Sequence, residues 1–266
     1  MIPKRRVECQ NNRIVRRLVV PLVTLACLAA GAPADGSTDV RAAVEAFVAR
    51  LQDVSIADLA IEQSLTLYDP GGRLPQSTGE QRVLFKLPQR QRVEQKVEGR
   101  REVRLWVGDR VWVRQADGKT YAVPATERGG DRTYLLVPFR RSAADLLAEW
   151  RARGVREDVS HTTRVAGRPA LVIGARPGEQ DVPAVWFDRE YGVLRIVTRE
   201  RFPKGPALVD ITFSEHRPLR GGFHFPYRQE VFVDGRLLMR ITVRSVAVNT
   251  GLPDALFDPE ALARER

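Results

Sequence analysis

His161, His216 and His224 are the only histidines in the chain, and no cysteine lies beyond Cys27. His216 and His224 fall on segments that read as neighbouring strands, near Glu215 and Glu230. Imidazole and carboxylate are zinc ligands, but the same side chains are ordinary occupants of strand surfaces, and that is the reading taken here. Asp188 and Glu190 share a turn, where solvation accounts for both. The chain contains no G-x-S-x-G elbow, no phosphate-binding loop and no G-x-G-x-x-G. Triad hydrolysis, nucleotide hydrolysis and dinucleotide chemistry therefore have no residues to work with. The expectation is a protein that is not an enzyme and uses no metal or cofactor. The side chains left to explain are aromatic, and aromatic groups fill cores or line apolar cavities.

The elements that would position them are mostly strands. Val83–Pro124 reads as five strands, broken by turn residues. Gly108-Asp109 suits a type II′ hairpin and Asp117-Gly118 a type I′ hairpin. Two-residue loops at both places set Leu105 opposite Trp112 and Trp112 opposite Val123. Val103, Leu105, Trp112, Tyr121 and Val123 then share one face, and Arg104, Trp106, Val111 and Val113 the other. Both faces are partly apolar, so one needs cover and the other a purpose.

Val40–Asp53 has apolar residues at three- and four-residue steps, which predicts an amphipathic helix capped by Thr38 or Asp39. From Asp58 to Tyr68 the period becomes two, with Leu59, Ile61, Leu65 and Leu67 on one side. A loop is expected from Asp69 to Gly79, and Tyr134–Phe139 is a compact apolar run. Ser142 with Asp145 resembles a capping box opening a second helix, whose face is Leu146, Leu147 and Trp150 and which Gly154 stops. Strands follow at 157–165, 169–175, 183–188, 192–201, 207–215, 222–233 and 236–248, separated by Gly/Pro turns. Leu252–Pro259 looks like an apolar latch before a short helical turn.

The first 34 residues read as a secretory signal. A basic start is followed by the apolar run Leu18–Ala30 and by Ala32-Pro33-Ala34, the small-residue site a signal peptidase reads. The apolar run is too short for a spanning helix, which needs about 20 residues. Cleavage after Ala34 leaves residues 35–266 as one domain. Acylation of Cys27 is the competing reading; Ala26 suits a lipidation signal and Thr24 does not. The formal net charge of +10 is inflated by this segment, where six basic residues face Glu8 alone. Arg90–Arg104 is interleaved with Glu94, Glu98 and Glu102, so it reads as a solvated strand edge and not as a nucleic-acid surface. A 43% hydrophobic and 29% charged composition excludes a disordered chain.

Several segments, in order, resemble the periplasmic outer-membrane lipoprotein carrier family (LolA-like, a fold shared with the receptor LolB and the sensor RseB). They are Phe85-Lys86-Leu87-Pro88 with Arg90 and Arg92, the hairpin Val107–Val113, the pair Val185–Asp188 and Val193–Ile196, and the closing Pro253-Asp254 with Phe257-Asp258-Pro259. The resemblance implies an α+β fold: a strongly curved antiparallel sheet, an unclosed β-barrel of about 11–13 strands, with helices covering its concave face. It further implies a non-catalytic, monomeric periplasmic carrier that shields lipid or lipoprotein acyl chains in an apolar cavity. An inner-membrane transporter or outer-membrane receptor would be its partner. An envelope sensor, or a lipid-anchored receptor if Cys27 is acylated, is the alternative. The residues expected to line the cavity are Phe85, Leu105, Trp112, Tyr121, Trp150, Trp186, Phe213 and Phe232.

Overall fold

A computed structural model describes residues 36–52, 54–88, 90–107, 110–124, 141–202 and 205–265. The expected signal segment with Cys27, the turn Gly108-Asp109 and the run Tyr134–Phe139 lie outside these residues.

The chain begins with helix α1 (Gly36–Leu51), then strands β1 (Asp58–Tyr68), β2 (Pro75–Lys86), β3 (Arg90–Val97), β4 (Arg100–Val107), β5 (Arg110–Arg114) and β6 (Thr120–Pro124). Helix α2 (Ala143–Ala152) follows. Strands β7 (Ser160–Val165), β8 (Arg168–Ile173), β9 (Ala184–Asp188), β10 (Gly192–Phe202), β11 (Gly205–Pro218), β12 (His224–Val233) and β13 (Arg236–Val248) come next, and helix α3 (Pro259–Arg264) ends the chain. All thirteen strands form one sheet in the order β6-β5-β4-β3-β2-β1-β13-β12-β11-β10-β9-β8-β7. Every pairing is antiparallel. The chain thus meanders from the middle to one edge, crosses to the other edge through α2, and meanders back to β1. The two edge strands, β6 and β7, do not pair, so the barrel stays open.

The second helix follows its sequence signals closely. Ser142 Oγ accepts from Asp145 N at 3.1 Å, and the Asp145 carboxylate accepts from Ser142 N at 3.0 Å, a complete capping box. Helix α1 starts four residues before the expected Val40, so neither Thr38 nor Asp39 caps it. The loop expected up to Gly79 is strand from Pro75 onward, because Thr78, Ser77 and Gly79 continue the ladder beside Thr66, Leu67 and Leu65.

In the Arg-rich ribbon the first hairpin pairs Val107 with Arg110 and Leu105 with Trp112, as the turn chemistry required. The second does not follow its expected register. Gln115 pairs with Lys119 across the three-residue loop Ala116-Asp117-Gly118, with Gly118 at φ +85°. Trp112 therefore faces Ala122 instead of Val123, and one residue of slip moves Tyr121 and Val123 to the opposite face.

Each face has its own cover. On the inner face, Val40, Val44, Phe47 and Leu51 of α1 and Leu146, Leu147 and Trp150 of α2 share one core with Ile61, Phe85, Phe187, Ile211, Phe213 and Phe225 of the sheet. On the outer face the C-terminal segment folds back, burying Leu252, Phe257 and Leu262 against Leu84, Val103 and Leu105. Three anchors hold it. Asp58 accepts from Thr250 N at 2.7 Å, Thr250 Oγ at 2.9 Å, Gly251 N at 2.9 Å and Leu252 N at 3.3 Å. Arg92 is fully buried, pairs with Glu94 at 2.6 Å and Glu265 at 2.7 Å, and donates to Leu256 O. Lys86 and Arg90 both reach Asp254 at 2.7 Å. The basic run read as a solvated edge is in good part a clamp on the chain end.

Candidate functional site

Two spaces open on the inner face. The smaller, about 30 Å³, lies where α1 and α2 meet the sheet and is walled by Phe47, Leu146, Trp150 and Phe187. Gly192 makes the close approach there. Its φ is +82°, and a Cβ would sit 2.8 Å from the Phe47 ring. One rim of this space is polar. Tyr191 lies between His216 and His224, with ring centroids 4.6 and 4.7 Å away. Arg168 sits 3.7 Å over the Tyr191 ring, tied to Asp188 at 2.9 Å and Glu190 at 2.7 Å. Burial pushes the His216 imidazole down to about 4, so it is neutral at physiological pH. Among the described residues no group of three or more His, Cys, Asp or Glu side chains is placed to hold a metal.

The larger space, about 200 Å³, has no helix residue in its wall. It runs from Trp106 on β4 to Ile211 on β11. Six strand spacings separate those strands, about 29 Å on a flat sheet at ~4.8 Å each. A single space of this volume touches both only because the sheet is strongly bent.

Its wall changes character along its length. Leu65, Ile211, Val231, Met239 and Ile241 make a mainly apolar end, in which Gln229 on β12 is a buried amide. Gln63, Gln81, Gln95 and Glu102 stand in register across β1 to β4. Gln63 Nε2 donates to Gln81 Oε1, and Gln81 Nε2 donates to Gln95 Oε1 at 3.3 Å. Arg104 beside them is neutralised by Glu102 at 2.7 Å. The indole N–H of Trp106 is buried and has no hydrogen-bond partner.

The eight residues expected to line a cavity are divided by the sheet. Phe85, Trp150 and Phe213 belong to the inner core, and Trp150 borders the smaller space. Leu105 and Trp112 pack on the outer face beneath the C-terminal segment. Trp186 is in a separate outer cluster with Val172 and Leu194, with Arg195 4.2 Å over its ring. Phe232 lies between Val231 and Val233, which pack on the inner core, and so points outward. Tyr121 is 44% exposed on the face to which the slipped register turns it. Aromatic or apolar type points to burial, whereas strand alternation assigns the face: Leu105 follows Val103 and Trp186 follows Ala184 into the outer clusters.

The glutamines are not among the residues that the sequence singles out, and Trp106, placed there on a ribbon face with Arg104, is not among the expected lining residues. A signal existed in β1, where Gln63 interrupts the otherwise apolar series Leu59, Ile61, Leu65 and Leu67. An uncharged polar residue where alternation calls for an inward apolar one marks a polar lining, because a buried amide must find partners.

The fold is that of LolA-like proteins. A domain from Vibrio parahaemolyticus described as an outer membrane lipoprotein-sorting protein superposes with a TM-score of 0.57 at 13% identity, covering 86% of this chain and 100% of that one. A DUF1329 family protein from Desulfovibrio piger gives 0.53 at 16% identity over 84% and 98%. A LolA superfamily protein from Nitrosomonas europaea gives 0.50 at 10% identity over 84% and 97%. No protein-family model matches the chain, and neither does any curated protein sequence.

Proposed function

We propose that this chain is a non-catalytic periplasmic carrier that shields the acyl chains of a lipid or lipoprotein on the inner face of its open barrel. The observation that carries the reading is the strand-walled space under the bent sheet, which shares the inner face with an apolar core that α1 and α2 cover and that would add to it if uncovered.

Its present volume, about 200 Å³, is below the roughly 300–1,000 Å³ of typical small-molecule sites. A long acyl chain therefore needs the helices to move. Displacing α1 would expose Val40, Val44, Phe47, Val48 and Leu51, all buried. At about 2 kcal/mol for each such side chain the opening costs about 10 kcal/mol. Burying acyl methylenes returns about 0.8 kcal/mol apiece, so about 12 of them offset it. A chain of ordinary membrane-lipid length then balances the helix nearly evenly. A carrier needs that balance, since it must both load and release.

The test is native mass spectrometry of the mature protein purified gently from the envelope fraction of producing cells. Bound lipid or acylated polypeptide, lost on replacing α1 core residues with bulkier ones, is the expected result. Protein found free of lipid in every preparation refutes the proposal.

A further inference from the structure

The polar half of the larger space has no role in a purely greasy carrier, and its chemistry is specific. Gln63, Gln81 and Gln95 are amides, each with donors and acceptors in equal number. The ladder bonds engage only part of that capacity, one bond between each neighbouring pair. The one cation among the residues of the wall, Arg104, is half exposed and pairs through Nε with Glu102 at 2.7 Å, so the two together bring no net positive charge to a phosphate. Trp106 adds an unpartnered N–H and a flat ring. Apolar side chains begin directly beyond Gln63 in the same space, at Leu65 and Ile241.

From this arrangement we infer that the ladder is a headgroup subsite for an amphiphile with an uncharged, hydroxyl-bearing head, which it selects over a phosphate-bearing head on the same chain. The inference rests on the carrier reading and adds the class of head that reading leaves open. Hydroxyl groups donate and accept as the amides do, and a neutral head incurs no desolvated charge in the cavity. A phosphate could accept from the spare amide N–H groups and from Trp106, but it brings no donor for the remaining oxygens, and its charge would stand beside Glu102, whose own cation is already paired with it. A hydrogen-bonding site rejects a head that leaves its groups unpaired more strongly than apolar walls reject a misfit.

Calorimetric titration with two eight-carbon amphiphiles, octyl glucoside and octylphosphocholine, both below their micelle-forming concentrations, tests it, with glucose as a third ligand. The glucoside should bind at least about tenfold more tightly than the phosphocholine, one to two hydrogen bonds' worth. Trp106→Phe keeps the ring and removes the N–H, and Gln95→Leu keeps the shape and removes the amide. Each should bring the ratio toward one while leaving octylphosphocholine affinity unchanged. Gln81→Leu, at the ladder's centre, should do so most, and its circular dichroism reports whether it folds. Equal binding of both amphiphiles, unaltered in the variants, overturns the subsite and leaves the carrier reading standing. Binding of neither overturns both. Glucose binding as tightly as octyl glucoside would support the hydroxyl subsite and count against a role for the apolar end.

Discussion

Replacing Asp58 with Asn is close to isosteric and should nevertheless cost much of the protein's stability. The carboxylate is almost wholly buried and accepts four hydrogen bonds from residues 250–252. Burial pushes its pKa up, but the bonds from Thr250, Gly251 and Leu252 outweigh that and hold it below the usual carboxylate range. An asparagine offers one acceptor oxygen and turns an NH₂ toward donors, so at least one backbone N–H is left facing another donor. Each buried group left unsatisfied costs about 1–3 kcal/mol. Thr250 and Gly251 lie near solvent and can partly rehydrate, whereas Leu252 is buried. The expected loss is about 2–4 kcal/mol, mostly from Leu252 and the lost charge. Asp58→Ala should cost at least as much. Urea unfolding at pH 7 measures both through the shift in midpoint at constant slope. The sign with pH is fixed too. A depressed carboxylate stabilises the fold above its unfolded pKa of about 3.9 and loses that contribution as pH falls through the lower folded value. Native and Asn proteins should therefore converge in stability below that range. A midpoint shift equivalent to less than about 0.5 kcal/mol at pH 7, or a difference that persists in strong acid, refutes the anchor.

Four other outcomes follow from the same geometry. Gly192→Ala, forcing a Cβ into the Phe47 ring at positive φ, should destabilise by more than the ~1 kcal/mol typical of compatible glycine sites, read by urea unfolding. Trp150→Ala should cost about 3–5 kcal/mol by opening a cavity between α2 and Phe187, read the same way. Deleting residues 253–266 should expose Leu84, Val103 and Leu105 and raise binding of a hydrophobic dye, while leaving buried Arg92 without its Glu265 partner. His216 has a folded pKa lowered to about 4 from 6.5, so the unfolded chain binds the proton first and stability falls as pH drops across that interval; His216→Leu should flatten that part of the profile.

The parts of this fold legible in the sequence are those set by local chemistry. The capping box at Ser142, the Val107–Arg110 hairpin and the strands from 160 to 248 depend on neighbours a few residues apart, and they stand close to where the residues put them. What was not legible depends on contacts distant in sequence. Arg90 and Arg92 look solvated until the chain end, about 160 residues later, supplies Asp254 and Glu265. Pro75–Gly79 looks like a loop until β1 and β3 extend on either side. Tyr121 depends on one residue of loop length, which a type I′ and a three-residue turn share too much sequence to distinguish. The expected lining residues are divided between the two faces for a related cause. Aromatic type says that a side chain is buried, while the face on which it is buried is a property of register.

That distinction bears on how the protein can work. The strand order joins two meanders along β1 and β13, and the inner face differs between them: core and helices lie mainly over the β7–β13 side, while three of the four amides in the larger space lie on β1–β3 and the fourth, Gln229, on β12. A helix can lift from an apolar floor because acyl methylenes replace its contacts at similar free energy. It could not lift from a ladder of amides so readily, since acyl methylenes moving in would leave amide groups without hydrogen-bond partners. On the carrier proposal, a lid that moves and a polar floor that stays would then lie largely on different sides of the central seam. A ligand that spans the seam would engage the polar floor with its head whether or not α1 has lifted. On that proposal the head would determine which amphiphile binds, and chain length how far the barrel opens.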